Sequence, residues 1–236
     1  DSTPYLTTSC THSLEMAALL IDIQPGDEVI MPSFTFVSTA NAFLLRGAKI
    51  IFCESQKHNP NLDIYHVESL ITSRTKAIVP VHYAGVACPL DELLSMGKKH
   101  NIRIIEDAAQ GIGAFYKKKP LGTIGDIGCL SFHDTKNISC GEGGAIFIND
   151  LSLKMKAEIV REKGTNRAAY FRGEIDKYGW KSLGSSYLLS DILAAKLLSQ
   201  LEELESITQC RKQIWNIYYE EFSLLEKQGK CYLPDL

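Results

Sequence analysis

The chain has 236 residues, of which 45% are hydrophobic and 22% are charged, and its formal net charge is -3. A chain of this length and composition folds as a globular protein with one large domain or two small ones. The low net charge and the absence of a dense Lys/Arg run give no support to nucleic-acid binding, because a surface that follows phosphates needs clustered cations. We interpret the basic triplet Lys117 to Lys119 as a solvated turn, although it would also suit a substrate phosphate.

Cysteine usage and hydropathy indicate the compartment. Seven cysteines are scattered without close pairing, and no Cys or His spacing fits a zinc or iron–sulfur site, so we expect no metal. Their odd number argues against a full disulfide framework and favours a reducing compartment. The sequence contains neither a long apolar span nor a leader pattern, so we expect a cytoplasmic protein without membrane association. It begins with Asp1 instead of Met and ends in a strand-like or linker-like segment, which suggests a fragment.

The first hundred residues predict alternating helices and strands. Apolar residues with a period near 3.6 predict helices over 13–21, 36–45, 67–71 and 90–100. Short β-branched runs predict strands over 28–31, 49–53, 77–81 and 102–105, and Pro25 to Asp27 separates the first helix from the first strand. This alternation predicts an α/β fold with a mostly parallel sheet that is covered on both faces.

The period changes after Asp126. Residues 127–133 and 144–148 are predicted to be two consecutive strands that complete the sheet, and residues 152–162 are predicted to be a helix. The segment 164–184 has no clear period and is interpreted as a long functional loop. Residues 190–225 are predicted to be helical, either as two packed segments or as a linker helix. The chain has no internal repeat.

Polar residues follow several predicted strands. Asp107 ends one strand, and His133 and Lys136 end another. Residues 8–13 precede the first helix, where free amides and the helix dipole attract a phosphate, although Ser and Thr at such positions are more often simple N-caps. Since ligands of open parallel sheets bind at the carboxyl ends of the strands, we expect these residues to lie together.

Lys136 is the most informative of these residues, because it lies between a predicted strand and the glycine-rich turn 141–144. A free lysine amine can attack a carbonyl and form a Schiff base, and an aspartate such as Asp107 can pair with a pyridinium nitrogen. Pyridoxal phosphate requires both groups. For an isolated Lys-Asn pair, an exposed lysine beside a hairpin turn is the commoner alternative.

Together these residues resemble the DegT/DnrJ/EryC1/StrS family of sugar aminotransferases, pyridoxal phosphate enzymes with the aspartate aminotransferase fold (fold type I). The similarity runs from Ser9 to about Ala195 and includes the segments 32–41, 106–110 and 125–128. It implies that residues 1–190 form the large cofactor-binding domain. It also implies that residues 191–236 are linker helices toward a small C-terminal domain outside this chain, and that the protein is a homodimer.

The resemblance also implies a role for each matched residue. Lys136 would form the Schiff base and then move protons, and Asp107 would pair with the pyridine nitrogen. The remaining cofactor contacts would be Gln110 with the ring hydroxyl, Phe36 and Ala109 on the two ring faces, and Ser131 with the Cys10 and Thr11 amides around the phosphate. Phe36 could equally be a core residue. Ser186 stands where many members have an asparagine that reaches the cofactor phosphate of the other subunit.

Within the family, the resemblance of the amino-acid sequences of segments 9–20, 79–86, 161–167 and 184–188 favours a dTDP-4-keto-6-deoxyhexose as substrate and L-glutamate as amino donor. Candidate substrate contacts are His133, Arg167, Arg172 and Tyr187. Three alternatives stay open: a 3-keto sugar nucleotide aminotransferase, a dehydratase that uses the pyridoxamine form, and a truncated, non-catalytic homologue that binds pyridoxal phosphate. Dehydratases of this family often have histidine in place of the lysine, so Lys136 argues for transamination.

Overall fold

The structure is a computed structural model that describes residues 2–233. Its strands are β1 (Thr3–Thr7), β2 (Glu28–Pro32), β3 (Lys49–Cys53), β4 (Thr75–Ile78), β5 (Arg103–Asp107), β6 (Phe115–Tyr116), β7 (Lys119–Pro120), β8 (Ile127–Ser131) and β9 (Gly144–Ile148). Its helices are α1 (Cys10–Leu20), α2 (Val37–Leu44), α3 (Ile64–Leu70), α4 (Leu90–His100), α5 (Lys154–Arg161), α6 (Arg167–Phe171), α7 (Asp191–Glu202) and α8 (Leu204–Lys227).

Within the described residues, seven strands form one sheet in the order β1-β9-β8-β5-β4-β2-β3. The pairs from β8 through β5, β4 and β2 to β3 are all parallel. Strand β9 is antiparallel to both β8 and β1. The prediction of an α/β fold with a mostly parallel sheet is therefore confirmed.

The alternation of side chains along the sheet explains why both faces are covered. All five residues of β2 are buried. Val29 and Met31 belong to the core cluster that α1, α2 and α5 share with the sheet. Ile30, which points the opposite way, belongs to a second cluster with residues of α3, α4 and α7. A central parallel strand buried on both faces is expected to be apolar throughout, and the apolar run Val29 to Met31 fits this expectation.

Helix α4 shows how the sequence encodes its own ends. Its first turn contains Asp91 and Glu92, and its last turn contains Lys98 to His100. These charges complement the helix dipole at each end. Asn101 then adopts the left-handed conformation at φ 56°, and this residue ends the helix.

The structure corrects several predicted boundaries. Strand β5 extends to Asp107, and β8 ends at Ser131 instead of His133. Helix α2 begins at Val37, so Phe36 is its N-cap, and 74% of the Phe36 surface is exposed. The alternative that Phe36 is a core residue is therefore wrong. Helix α3 begins at Ile64, three residues before the predicted start.

Three short strands and one short helix were not predicted. Strand β1 pairs with β9, and the two-residue strands β6 and β7 form a hairpin. At the tip of this hairpin, Lys117 and Lys118 are exposed and have positive φ angles, as expected for a solvated turn. Helix α6 lies inside the segment that was predicted to be a loop.

Two consecutive helices, α7 and α8, form from the region 190–225, as the alternative with two segments expected, and their role as linker helices toward a further domain stays a prediction. A break at Glu203 separates α7 from α8. Leu197 of α7 is buried in the core, whereas α8 has no buried residue. Among residues 2–233, no helix combines the length and the hydropathy that crossing a bilayer requires.

Candidate active site

A cavity of about 500 Å³ lies at the carboxyl ends of the parallel strands. Its walls come from the N-terminus of α1, the segment before α2, the end of β5 and the loop after β8. The predicted site residues that line it are Cys10, Thr11, Phe36, Asp107, Ala109, Gln110, Ser131, His133 and Lys136. The topology thus brings together residues that are far apart in the sequence.

Asp107 is the buried carboxylate of the cavity. It is the last residue of β5, and only 4% of its surface is exposed. Its backbone N–H donates to Pro80 O at 2.9 Å, and its carbonyl accepts from the His82 N–H at 3.0 Å. These bonds fix the backbone of the strand end, so the carboxylate has a defined direction.

The protonation of Asp107 reflects its burial. Thr39 Oγ1 donates to Asp107 Oδ2 at 2.7 Å, and the Ala109 N–H donates to Oδ1 at 3.1 Å. Burial raises the pKa of Asp107, and these two hydrogen bonds lower it by less, so the pKa lies above its usual value. A cation in the cavity would stabilise the charged form of this carboxylate.

Lys136 lies in a loop that the core holds in place. Buried Phe132, Ile138 and Cys140 anchor the loop, and the Cys140 N–H donates to Phe132 O at 3.0 Å. Lys136 itself is half-buried, and its N–H closes a turn onto His133 O at 3.0 Å. Among residues 2–233, no carboxylate lies within ion-pair distance of Lys136 Nζ, so the amine is available to a ligand.

The N-terminus of α1 supplies anion-binding groups. Ser9 caps the helix by accepting from the His12 N–H at 3.1 Å. The Cys10 and Thr11 amides lie in the first turn, where no helical acceptor exists for them. Burial raises the pKa of the Cys10 thiol well above its usual value, so Cys10 contributes its amide and not a thiolate. This geometry is typical of phosphate sites.

Glycine is required where β9 meets this helix end. A Cβ at Gly144 would lie 2.4 Å from Ser9 C and 2.5 Å from Cys10 N. Only glycine therefore lets the strand pack directly on the first turn of α1. The neighbouring Ser131 is buried, and its Oγ accepts the His133 N–H at 3.4 Å. The Ser131 hydroxyl proton can therefore be donated into the cavity.

Gln110 and its neighbours form the side walls. Gln110 Oε1 accepts the Ala84 N–H at 2.6 Å, which leaves the Gln110 amide N–H groups as donors. Ala109 and the exposed residue Phe36 also line the cavity. The side chain of His133 is 42% exposed, and its Nδ1 lies 2.8 Å from Asp134 Oδ1.

Sequence reasoning missed several residues of this cavity, above all Thr39, which donates to Asp107. Thr39 lies inside α2 and is 1% exposed. No signal in the sequence separates it from the other hydroxyl residues of the same segment, such as Thr35 and Ser38. The other cavity-lining polar residues that were not predicted are Ser33, Thr35, Ser38, Tyr83, Thr135 and Glu142.

The structure does not bring four predicted site residues to this cavity. Arg167 Nη1 lies 3.0 Å from Glu162 Oε1, and Arg172 pairs with Glu158 and Glu174. The Tyr187 ring is buried and contacts the His12 ring edge-on, with 5.5 Å between the ring centroids. Ser186 is exposed and forms a β-bridge with Glu162. The two arginines therefore have carboxylate partners within the chain. The predicted contact of Ser186 with another subunit stays a prediction.

Comparison with known proteins identifies the family. The model of the DegT/DnrJ/EryC1/StrS aminotransferase family matches residues 5–235. The chain belongs to this family. The DegT/DnrJ/EryC1/StrS relatives include the GDP-perosamine synthase of Caulobacter vibrioides, which is 36% identical over 215 residues, covering 91% of this chain and 56% of that protein.

Solved structures agree with this DegT/DnrJ/EryC1/StrS assignment. An aminotransferase from Psychrobacter cryohalolentis superposes with a TM-score of 0.92 at 30% identity, over 98% of this chain and 60% of that one. Spr1654 of Streptococcus pneumoniae, a proposed sugar aminotransferase solved in its PLP form, gives 0.83 at 28% identity, over 93% and 60%. This chain thus spans little more than half the length of these relatives.

The cofactor of this DegT/DnrJ/EryC1/StrS member is pyridoxal phosphate, and the residues of the cavity fit it. Asp107 is a buried carboxylate that lines the cavity, and each of its oxygens accepts one hydrogen bond from a described residue. Lys136 supplies an amine without an ion-pair partner among the described residues. The first turn of α1 and Ser131 supply donors for a phosphate. One cavity thus has groups for the ring nitrogen, the aldehyde and the phosphate.

Proposed function

We propose that this chain provides the cofactor site of an aminotransferase that moves an amino group from L-glutamate to a keto sugar nucleotide. The observation that supports it best is that the Lys136 amine and the buried Asp107 carboxylate line one cavity with the N-terminus of α1. An amine, a buried carboxylate and a phosphate-binding helix end are the groups that this chemistry needs.

When bound, pyridoxal phosphate supplies an electron sink for the pair that remains on a carbon after its proton is removed. In this proposal Lys136 Nζ would hold the cofactor covalently, and as a free amine it would accept and return the proton that is moved in the transfer. Because the buried residues Phe132, Ile138 and Cys140 anchor the loop, the backbone of Lys136 stays in place and its amine stays close to the cavity. Asp107 keeps the ring nitrogen protonated through its charge.

The remaining residues bind and orient the cofactor. The Cys10 and Thr11 amides and the Ser131 hydroxyl hold the phosphate at the end of α1. The Gln110 amide donates to the ring hydroxyl, since its carbonyl oxygen already accepts from Ala84. Phe36 and Ala109 pack against the two ring faces.

We infer that the acceptor is a dTDP-4-keto-6-deoxyhexose and that the product is dTDP-4-amino-4,6-dideoxygalactose, as in enterobacterial common antigen synthesis. The amino-acid sequences of segments 9–20 and 79–86 support this inference. The name of the related GDP-perosamine synthase also supports a nucleotide sugar as substrate. His133, which lines the cavity, is the proposed sugar contact. Arg167 and Arg172 are weaker candidates because glutamates already pair with them. Tyr187 is a weaker candidate because its ring is buried.

The proposed protein is a homodimer in which Ser186 faces the cofactor phosphate of the partner subunit. Ser186 is exposed in this chain, as a residue that contacts a second copy must be before assembly. A hydroxyl can donate one hydrogen bond to a phosphate oxygen, so it can replace one of the donors of an asparagine amide.

The first test is the visible spectrum of the purified chain with pyridoxal phosphate, before and after L-glutamate. The proposal expects a band of the lysine-bound cofactor that glutamate converts to the pyridoxamine form. A band that ignores glutamate would favour the non-catalytic alternative. A keto sugar nucleotide added afterwards should restore the first band, and NMR of the product would distinguish amination at C4 from amination at C3.

A further inference from the structure

Two hydroxyl groups form a chain behind the Asp107 carboxylate. Thr35 Oγ1 lies 2.8 Å from Thr39 Oγ1, and Thr39 Oγ1 lies 2.7 Å from Asp107 Oδ2. A carboxylate only accepts, so the Thr39 proton points to Asp107. Thr39 then has no proton left for Thr35, and Thr35 must donate to Thr39. The chain therefore runs in one direction, from Thr35 through Thr39 to the carboxylate.

The hydroxyl of Thr39 supplies one of the two hydrogen bonds that the Asp107 side chain accepts within residues 2–233. The Ala109 N–H supplies the other, to Oδ1. Each carboxylate oxygen thus has one internal donor and a further acceptor direction for a ligand. Thr39 is 1% exposed, so water does not replace its hydroxyl. The bond joins residues 68 positions apart in the sequence and ties α2 to the end of β5.

We propose that Thr39, oriented by Thr35, is a positioning residue of the reaction that keeps the Asp107 carboxylate charged and aimed at the ring nitrogen of the cofactor. The inference rests on the proposed function, because it takes Asp107 as the partner of that nitrogen. It assigns a role to a residue that neither touches the reacting atoms nor stands out in the sequence.

Thr39 acts against a strong opposing effect. Burial raises the pKa of Asp107, and the Thr39 hydrogen bond is the largest influence that lowers it, ahead of the Ala109 amide. The other titratable groups that interact with Asp107 come from several elements: Cys10 of α1, His82 and Cys88 after β4, Lys136 after β8 and Cys129 of β8. The neighbouring Glu106 has its own set of donors. Among the described side chains, only Thr39 donates a hydrogen bond to the Asp107 carboxylate.

The test compares Thr39→Val, which removes the donor at equal volume, with Thr39→Ser, which keeps it. The affinity for pyridoxal phosphate is measured by fluorescence quenching across a pH series with the purified chain. We expect the Kd of Thr39→Val to rise roughly ten- to a hundredfold, the range for a lost hydrogen bond to a charged group. Its loss of binding on acidification should also begin at a higher pH, because Asp107 then protonates more readily.

Two comparisons separate positioning from a general loss of structure. Thr75→Val removes a buried hydroxyl that accepts from the Thr72 N–H at 2.9 Å, far from the cavity, and should leave the Kd and its pH profile unchanged. In an Asp107→Asn background, Thr39→Val should have little further effect on the Kd, because the charge that Thr39 supports is gone. Thr39→Ser should match the wild type.

The possible results are distinguishable. If the wild type binds the cofactor and transfers the amino group while Thr39→Val keeps the wild-type Kd and pH profile, the positioning role is wrong and the proposed function stands. An equal effect of Thr39→Val with and without Asp107 would also overturn the positioning role. Failure of the wild type to bind pyridoxal phosphate would overturn the proposed function together with this inference.

Discussion

Replacing Glu106 by Gln is expected to destabilise the fold strongly, because Glu106 accepts four hydrogen bonds from residues within the described range 2–233. Its side chain is 0% exposed. Oε1 accepts from the N–H groups of Ile124 at 2.7 Å and Gly125 at 2.6 Å. Oε2 lies 2.9 Å from the Gly122 N–H and 3.0 Å from His82 Nε2. The carboxylate thus holds the turn before β8 against the loop after β4.

A glutamine cannot satisfy this set of donors in either orientation. Its NH₂ group must face either the Ile124 and Gly125 amides or the Gly122 amide and His82. His82 cannot adapt without a further loss, because its Nδ1 accepts the Cys88 N–H at 3.1 Å and the ring proton is therefore on Nε2. Two donors lose their acceptor, and the other two exchange a charged acceptor for a neutral one.

The size of the effect follows from the lost bonds. A hydrogen bond to a charged group contributes about 1.5–3 kcal/mol, so the loss of two gives about 3–6 kcal/mol. Domains are stable by only about 5–15 kcal/mol, so Glu106→Gln should consume a large share of the free energy of unfolding. Urea unfolding at neutral pH measures it. Glu220→Gln, at an exposed position of α8, is the matched control and should leave the unfolding free energy unchanged.

The pH dependence gives this prediction a second test. Burial raises the pKa of Glu106, but the bonds from His82, Gly125 and Gly122 together lower it more, so the net pKa lies below its usual value. Such a carboxylate contributes stability above its unfolded pKa of about 4.3 and loses it as the pH falls through the folded value. The difference in unfolding free energy between the wild type and Glu106→Gln should therefore become smaller in acid. A gap below roughly 1 kcal/mol at neutral pH, or one that widens in acid, would refute the reasoning.

Three further predictions concern the cavity and the thiols. Lys136→Ala should lose borohydride-trappable attachment of pyridoxal phosphate while its urea midpoint stays unchanged; a variant that still traps the cofactor would contradict the role of Lys136. Gly144→Ala should cost about 1–3 kcal/mol of stability and weaken cofactor binding, because its Cβ would overlap the start of α1, whereas Gly179→Ala, with open space around it, should do neither. Ellman's reagent should label Cys210 and Cys231 in the folded chain and the five buried cysteines only after unfolding; fast labelling of a third thiol would show that the core is more open.

Local patterns were sufficient for the central part of the fold. The apolar run of β2 and the charged ends of α4 carry their own signals, because the residues that decide these elements are close in sequence. Asp107 and Lys136 could be singled out for the same reason: each follows an apolar run at a point where parallel strands place their ligands.

Features that depend on distant partners could not be predicted in this way. Strand β1 contains Pro4 and forms an edge that exists only because β9, more than a hundred residues later, pairs with it. Thr39 is one of several hydroxyl residues in its segment, and its bond to Asp107 appears only when α2 packs against the end of β5. The ion pairs of Arg167 and Arg172 were not predicted either. Their glutamate partners, on and after α5, can be recognised only in the folded chain.

Glu106 and Asp107 show why burial alone does not set the chemistry of a carboxyl group. They are neighbours on β5, so their side chains point to opposite faces of the sheet. Four donors lower the pKa of Glu106 despite its burial, whereas Asp107 has two donors and a pKa above its usual value. A raised pKa means that Asp107 adds stability below its unfolded pKa and loses it as the pH rises through the folded value, so its charge opposes folding at neutral pH. In the proposed function, the protonated ring nitrogen of the cofactor is the cationic partner of Asp107, which has no ion-pair partner among the described residues. Cofactor binding should therefore stabilise the chain through the same carboxylate that weakens the cofactor-free protein.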